Sequence, residues 1–218
     1  MKKIICLVFS LLFAFVSATG TVSAAGGFHD VDETDWFYSG VVYAHGNGIM
    51  TGVTDASFMP NSEINRTLLI TTLYIYTITQ GYDVSVGEDT NILSYDDALN
   101  ISEGAYEAYQ WACGSGLIPE AAGAAKLGIN DLITREQMVT LLYDFALLYG
   151  KDPTAGEDTN ILSYDDVFNI SQDKAYAAFQ WACGSGIIVG TSHSTLSVAS
   201  NATRAQLATV LMRLSAKR

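Results

Sequence analysis

The sequence is poor in basic residues. It has 11 Lys and Arg against 23 Asp and Glu, which gives a formal net charge of −12 at neutral pH. Because nucleic-acid binding requires clustered Lys and Arg, this balance argues against DNA or RNA as a partner. Hydrophobic residues make up 49% of the chain. We therefore expect a folded core and not a disordered chain.

Long hydrophobic runs are also scarce. The run IICLVFSLLFAFV follows the basic head Met1-Lys2-Lys3, and the small residues of VSAAG come next. A short apolar run between a basic head and a cleavage-like site predicts a secretory signal peptide over residues 1–24. No second apolar run of spanning length follows. We therefore expect a secreted mature chain without a membrane span.

Cysteine is rare, with three residues in all. Cys6 lies in the predicted signal peptide, so Cys113 and Cys183 remain, both within the sequence WACGSG. A secreted protein could join two such residues in a disulfide. Because both occupy equivalent places at predicted helix ends, the sequence favours two small buried thiols, although it leaves the disulfide open.

Combinations of residues that carry out chemistry are missing. The three histidines have no metal-ligand spacing, and no nucleophile, triad or carboxylate pair stands out. The stretch DTNILSYDD occurs twice and is acidic, but it lacks the central glycine and regular oxygen ligands of a calcium-binding loop. We interpret it as a solvated linker. The sequence therefore predicts no metal site, no cofactor and no enzymatic activity.

What the sequence does contain is an internal repeat. GEDTNILSYDD occurs at 87–97 and 156–166, and WACGSG occurs at 111–116 and 181–186. The arginines Arg66, Arg135 and Arg204 are spaced by 69 residues. This periodicity predicts three tandem units, at 28–80, 93–150 and 162–218.

Each unit is predicted to form a helix, a loop and a second helix. The first helices are predicted at 35–45, 102–113 and 171–183, each ending before a glycine. The second helices begin at the three arginines, and apolar residues at +3, +6, +7 and +10 form one stripe on each. One such unit cannot bury both of its helices, so the units should pack around a shared core. Trp111 and Trp181 could stack on sugars, but their place on the first helices favours a position in that core or at an interface.

The three arginines occupy an unusual position, since a helix start already carries positive partial charge. Thr134 and Thr203 are predicted N-caps, each with a Gln three residues later that can close a capping box. Asn65 can also act as a cap, but Leu68 cannot close its box. An arginine directly after the cap costs about 0.3–1 kcal/mol through the helix dipole. Two explanations stay open: an ion pair with an acidic residue of a neighbouring unit, or an anion pocket built from the arginine and free helix N–H groups.

Glycine-rich loops lead from the first helix towards the second. They are GNGIMTG at 46–52, with Gly48 and Gly52, and GSGIIVG at 184–190, with Gly186 and Gly190. Because glycine has no side chain, such loops can let a ligand approach the main chain. The second unit departs from this pattern, with Pro119 and Glu120 in its loop.

Residues 28–66 resemble the S-layer homology domain. They contain its F-x-D-V start with Asp30, its Trp at Trp36, its G-x-x-x-G from Gly48 to Gly52 and its D-x-x-F-x-P loop. INRTL stands where the family has I-T-R-A-E, and ITREQ and ATRAQ extend the resemblance to the second and third units. In those units Tyr95 and Tyr164 replace the first aromatic residue, while Asp97 and Asp166 follow two residues later.

The resemblance implies a mainly α fold, with three repeats in a pseudo-threefold, spindle-like helical bundle. It also implies non-covalent anchoring to the bacterial cell wall. The ligand would be an acidic, pyruvylated secondary cell-wall polysaccharide linked to peptidoglycan and bound in grooves between repeats. The motif arginine would be its main contact. The binding residues implied in this way are Arg66, Arg135, Arg204, Asp30, Trp36, Gly48, Gly52, Gly186, Gly190 and Thr203.

The units depart from the family pattern to different degrees. Gly104 and the region of Asp173 and Lys174 stand where the first unit has Trp36. We therefore do not expect all three grooves to bind pyruvylated sugar, and we favour the grooves of Arg66 and Arg204 over the second unit with its altered loop. The alternative function is a structural or assembly module that binds surface-layer proteins, with its arginines in internal ion pairs.

Overall fold

The structure, a computed structural model, describes residues 27–86, 92–118, 126–156, 158–171 and 173–217. The predicted signal peptide and the Pro119–Glu120 departure lie outside them. The described residues form a mainly helical fold, which confirms the predicted class. Their α-helices are α1 (Tyr38–Gly46), α2 (Arg66–Thr79), α3 (Glu103–Gly114), α4 (Arg135–Leu148), α5 (Asp173–Gly184) and α6 (Arg204–Ser215).

The starts of the second helices are confirmed, since α2, α4 and α6 begin at the three motif arginines. Thr134 and Thr203 cap α4 and α6 with the predicted capping boxes. Asn65 caps α2 through its side-chain oxygen, which accepts a hydrogen bond from the backbone N–H of Leu68 at 2.9 Å. The caps could be predicted because they depend only on residues three positions apart.

Helix α1 begins three residues later than the predicted start at Asp35. The reason is a local turn, in which the backbone N–H of Asp35 donates to the carbonyl of Asp32 at 3.0 Å. The carboxylate of Asp35 in turn accepts from the backbone N–H of Asp32 at 2.8 Å. Aspartate favours such turns over helix interiors because its side chain competes for nearby backbone N–H groups.

The helices of different units pack on one another in a closed order. Helix α2 packs against α3, α4 packs against α5, and α6 packs against α1. Every second helix thus covers the first helix of the next unit, and the third unit returns to the first. The contact of α1 with α6 is very close, because a Cβ at Gly40 would lie 2.6 Å from the Cα of Thr209. These contacts bury the predicted apolar stripes, with Leu141 only partly buried.

Backbone hydrogen bonds link the three units directly. The N–H of Ile64 donates to the carbonyl of Ala202 at 2.9 Å, and the N–H of Ala202 donates to the carbonyl of Ile133 at 2.8 Å. The N–H of Ile133 in turn donates to the carbonyl of Ile64 at 3.0 Å. These residues each lie two positions before a motif arginine, so equivalent positions form a closed ring. Three equivalent units around one axis would produce such a ring, while the spindle shape itself stays a prediction.

The predicted core residues are buried. Trp111 is 2% exposed and Trp181 is 3% exposed. Cys113 is also buried and Cys183 is half-buried, and no disulfide joins them. Burial raises the pKa of the Cys183 thiol to about 11, so it stays protonated near neutral pH. Within the described ranges, no helix is long and apolar enough to cross a membrane.

Candidate functional site

The motif arginines reach across to the next unit. Nε of Arg135 donates to the carbonyl of Leu196 at 2.8 Å, and Nη2 donates to that of Val189 at 3.3 Å. Arg204 makes the equivalent contacts with the first unit, where its Nε donates to the carbonyl of Phe58 at 2.8 Å and its Nη2 donates to that of Thr51 at 2.6 Å. Both arginines therefore connect the start of one helix to the loop of the neighbouring unit.

Carbonyl groups, and not acidic side chains, receive these arginines. Among the described residues, the ion pair that the structure records joins Lys174 to Asp144 and involves no motif arginine. Burial lowers the pKa of Arg204, and the nearby charge of Asp30 opposes that shift. The guanidinium of Arg204 also lies 4.6 Å from the ring centre of Phe58, a favourable cation–π distance. The ion-pair explanation is therefore wrong for Arg135 and Arg204.

The N–H groups at the helix starts are already occupied. In α2 the backbone N–H of Arg66 donates to the carbonyl of Asp131 at 2.9 Å, and that of Thr67 donates to the carbonyl of Ile129 at 3.2 Å. The N–H of the third helical residue donates to the side chain of the N-cap. In α4 and α6 carbonyls of the neighbouring loop likewise accept from the first two N–H groups. The hypothesis that free helix N–H groups bind an anion is therefore wrong. The same carbonyls offset the positive end of the dipole and so make an arginine tolerable there.

Arg66 differs from its two counterparts. Its Nε is buried without a hydrogen-bond partner among the described residues. Arg66 lines a cleft of about 340 Å³ together with Lys126, Asp97 and Asp131. These residues belong to the second unit, so Arg66 reaches the second unit just as Arg135 reaches the third. Which of the three grooves binds a ligand stays a prediction.

Asp30 pins the loop of its own unit. Its carboxylate accepts from the hydroxyl of Ser57 at 2.6 Å and from the backbone N–H groups of Phe58 and Met59 at 2.9 and 2.8 Å. Burial acts to raise the pKa of Asp30, but these hydrogen bonds outweigh it and hold the pKa below its usual value. Asp97 and Asp166 likewise accept hydrogen bonds from backbone N–H groups in the loops of their own units. The role of Asp30 as a ligand contact stays a prediction.

The loop glycines serve the fold. A Cβ at Gly190 would lie 2.7 Å from the ring of Tyr164, and one at Gly52 would clash with the ring of Phe28. Gly48 and Gly186 end α1 and α5 with positive φ angles of 69° each. Internal packing and helix termination therefore account for all four glycines without any ligand.

One cleft combines aromatic and basic side chains. It has a volume of about 480 Å³, and its lining among the described residues includes Trp36, Arg135, Gly190 and Arg213 but no Asp or Glu. Trp36 is 62% exposed and stands edge-on against Phe37, with ring centres 5.3 Å apart. Three of the residues implied by the family resemblance thus meet here, and we call this space the Trp36 cleft. Thr203 caps α6 and Gln206 lines the cleft.

Arg213 was not found by sequence reasoning. It lies in the last turn of α6, nine residues after Arg204. The equivalent positions nine residues after Arg135 and Arg66 hold Asp144 and Ile75. A change from acidic or apolar to basic at one repeat position is a signal that the sequence offers, but only the structure places it beside Trp36.

Two segments of the chain match a known family. The model of the S-layer homology domain matches residues 27–66 and 163–208. The chain carries S-layer homology domains. The first match ends at Arg66 and the second contains Arg204, whereas residues 67–162, with the whole of the second unit, lie outside both. S-layer homology domains are modules that attach proteins to the cell wall or cell surface by binding wall polysaccharides, which associates this chain with the cell surface.

A comparison with curated proteins found no match to the chain. The assignment of S-layer homology domains therefore rests on the family match and on the repeated geometry of the arginines, aspartates and loop glycines.

Proposed function

We propose that this protein is a non-covalent anchor that binds an acidic, pyruvylated secondary cell-wall polysaccharide, with the Trp36 cleft as its main binding site. The observation that carries the proposal is the lining of this cleft. Within the part of the chain that the structure describes, an exposed indole and two arginines share it with no acidic residue, although the net charge of the chain is −12. Such a lining favours an anionic ligand in a protein whose overall charge would repel one.

The chemistry of the lining suits an acidic sugar. The flat apolar face of an indole can pack against the C–H face of a pyranose ring. A guanidinium can hold a carboxylate with two parallel hydrogen bonds. A ketal-linked pyruvate presents such a carboxylate on the edge of a sugar. The sugar ring and the carboxylate of the ligand would therefore each meet a matching side chain, the indole and a guanidinium, within one cleft.

The predicted signal peptide agrees with a ligand that lies outside the cell. A signal peptide over residues 1–24 would export the chain to the outer face of a bacterium, where a polysaccharide linked to peptidoglycan is available. The site needs neither a metal nor a cofactor for binding. We propose no enzymatic activity.

A second candidate function is docking of a surface-layer protein. Leu99 is 88% exposed and Phe168 is 83% exposed, and they occupy the same position in the second and third units. Two large apolar side chains repeated on the surface are typical of contact points for another protein. The first unit has Asp32 at the equivalent position, so only two of the units offer such a contact.

Sedimentation with purified bacterial cell walls tests the proposal. We expect the wild-type protein to pellet with intact walls and to stay in solution after acid extraction of the wall polysaccharide. Trp36→Ala should weaken binding about tenfold, which corresponds to about 1.4 kcal/mol. The double variant Leu99→Ser/Phe168→Ser is the matched control and should pellet like the wild type. Equal binding to extracted walls, or loss of binding in that control alone, would contradict the proposed anchor.

A further inference from the structure

We infer that Arg213, and not the motif arginine Arg135, binds the acidic group of the ligand in the Trp36 cleft. This inference rests on the proposed function and identifies the residue that gives the same site its charge selectivity. The two arginines line one cleft, but they differ in how far their guanidinium groups are already engaged by the protein.

Arg135 is engaged by its own fold. It is 4% exposed, and it donates from Nε to Leu196 and from Nη2 to Val189. If Arg135 turned towards a ligand, two carbonyl groups of the third unit would lose their donor, at a cost that a new contact must first offset. Arg135 therefore acts as a positioning residue that holds the wall of the cleft.

Arg213 is much less committed. Its side chain is half-buried, and its recorded hydrogen bond runs from Nη1 to the carbonyl of Ile187 at 3.4 Å, which is long for such a bond. A guanidinium has five N–H donors, so most of its capacity is available for a ligand. Rotating Arg213 towards an anion would thus give up one weak contact with the residues that the structure describes.

The equivalent positions in the other units support this role. Helix α4 has Asp144 where α6 has Arg213, and α5 has Lys174 where the first unit has Trp36. Lys174 and Asp144 are ion-paired at 2.7 Å. The same place in the repeat is therefore closed by a salt bridge between the second and third units, whereas Trp36 and Arg213 leave it open.

The chemical class of the ligand follows from these neighbours. Trp36 supplies a stacking surface for a sugar ring, and Arg213 supplies the charge for a carboxylate or a phosphate on that sugar. Gln206 and Thr191 line the same cleft and can exchange hydrogen bonds with hydroxyl groups. The site is thus suited to an anionic saccharide.

Tryptophan fluorescence provides a direct readout. Trp36 is exposed, whereas Trp111 and Trp181 are buried, so acrylamide should quench Trp36 almost alone. Three probes are titrated: a methyl glycoside with a ketal-linked pyruvate, its neutral methyl ester, and a hexose phosphate. We expect the acid glycoside to protect Trp36 at concentrations at least tenfold lower than the ester. Comparison with the hexose phosphate shows which anion is preferred, and a preference for either anion over the ester supports the inference.

The decisive variant is Arg213→Ile, which copies the residue found nine positions after Arg66. It should abolish the preference for acid over ester and should reduce pelleting with walls about tenfold, with an unchanged melting temperature. Arg135→Lys is the companion variant. It should lower the melting temperature, because lysine cannot reproduce both carbonyl contacts, but should keep the preference for the acid.

The outcomes separate the inference from the proposed function. If Arg213→Ile keeps the full preference for acid and pellets like the wild type, the inference is overturned while wall binding stands. The inference is also overturned if none of the three probes protects Trp36. If the wild-type protein itself does not pellet with walls, the proposed function fails as well.

Discussion

The Trp36 cleft and the corresponding place between α4 and α5 are built from equivalent positions and have opposite properties. At the first, Trp36 and Arg213 line an open cleft to which no described Asp or Glu contributes. At the second, Lys174 and Asp144 form a salt bridge. Both places lie where the second helix of one unit meets the first helix of the next. Equivalent backbones can thus carry one open site and one closed site.

The difference teaches which parts of the repeat are needed for the fold. The backbone ring, the aspartate that pins each loop and the arginines that cross to the next loop recur between units, because each satisfies buried polar groups. By contrast, the positions of Trp36 and Arg213 hold a different residue in each of the three units. Recurring residues therefore support the fold, and residues that differ between units are the better candidates for ligand specificity.

Removal of the motif arginines should give the largest effect and should differ between units. Arg204→Ala would leave the carbonyls of Phe58 and Thr51 without their donor, so the free energy of unfolding should fall by about 2–4 kcal/mol. Arg66→Ala removes an Nε that has no recorded partner, and should cost less than about 1 kcal/mol. Urea denaturation of both variants measures the difference. Equal losses would show that the two arginines are equivalent after all.

Gly40→Ala should have the next largest effect. The added Cβ would lie 2.6 Å from the Cα of Thr209, so α1 and α6 must move apart at a cost of about 1–3 kcal/mol. The equivalent residue in α3, Ala108, already has a Cβ, so Ala108→Ser serves as a milder control. Thermal denaturation measures the loss. A variant as stable as the wild type would show that α1 does not depend on this close approach.

Acid should weaken the loops that the aspartates hold. The pKa values of Asp30 and Asp97 lie below the usual value, because hydrogen bonds from loop N–H groups outweigh the effect of burial. Their contribution is therefore fully present above about pH 4 and is lost as the pH falls through the lowered pKa. Asp30→Asn should cost about 1–2 kcal/mol at pH 7 and flatten this loss. Denaturation between pH 7 and pH 3 checks it, and an acid dependence identical to wild type would refute this account of Asp30.

The smallest effect is expected in the loop turns. Met59, Gly128 and Ser197 occupy equivalent positions with φ angles of 56°, 67° and 55°, a region that favours glycine. Met59→Gly should change stability by less than about 1 kcal/mol, in the stabilising direction, because it relieves this strain. Gly128→Ala should destabilise, since its Cβ would clash with the carboxylate of Asp131. Paired melting curves test both signs, and a stabilised Gly128→Ala would contradict this interpretation.

Local features of the fold could be predicted from the sequence. The starts of α2, α4 and α6, their caps and their buried stripes depend on residues within a few turns of one another. The partners of the arginines could not be predicted, because they depend on the order in which the units meet. The packing roles of Gly52 and Gly190 could not be predicted for the same reason, since the rings of Phe28 and Tyr164 that lie against them are distant in sequence.

The candidate site was only partly accessible to sequence reasoning. Trp36, Arg135 and Gly190 were named, but nothing in the sequence showed that they share a cleft. Arg213 was missed because it lies outside every motif and comes from the opposite end of the chain to Trp36. A site between units depends on long-range packing, which a repeat pattern predicts only in outline.

Hydrogen exchange of the full chain, with and without solubilised wall polysaccharide, tests most directly whether the Trp36 cleft is the binding site. We predict slower exchange in peptides covering 187–191 and 205–213, and unchanged exchange in 50–58, the loop held by Arg204. Protection confined to 50–58 or to 126–131, or no protection anywhere in the presence of the polysaccharide, would contradict the account.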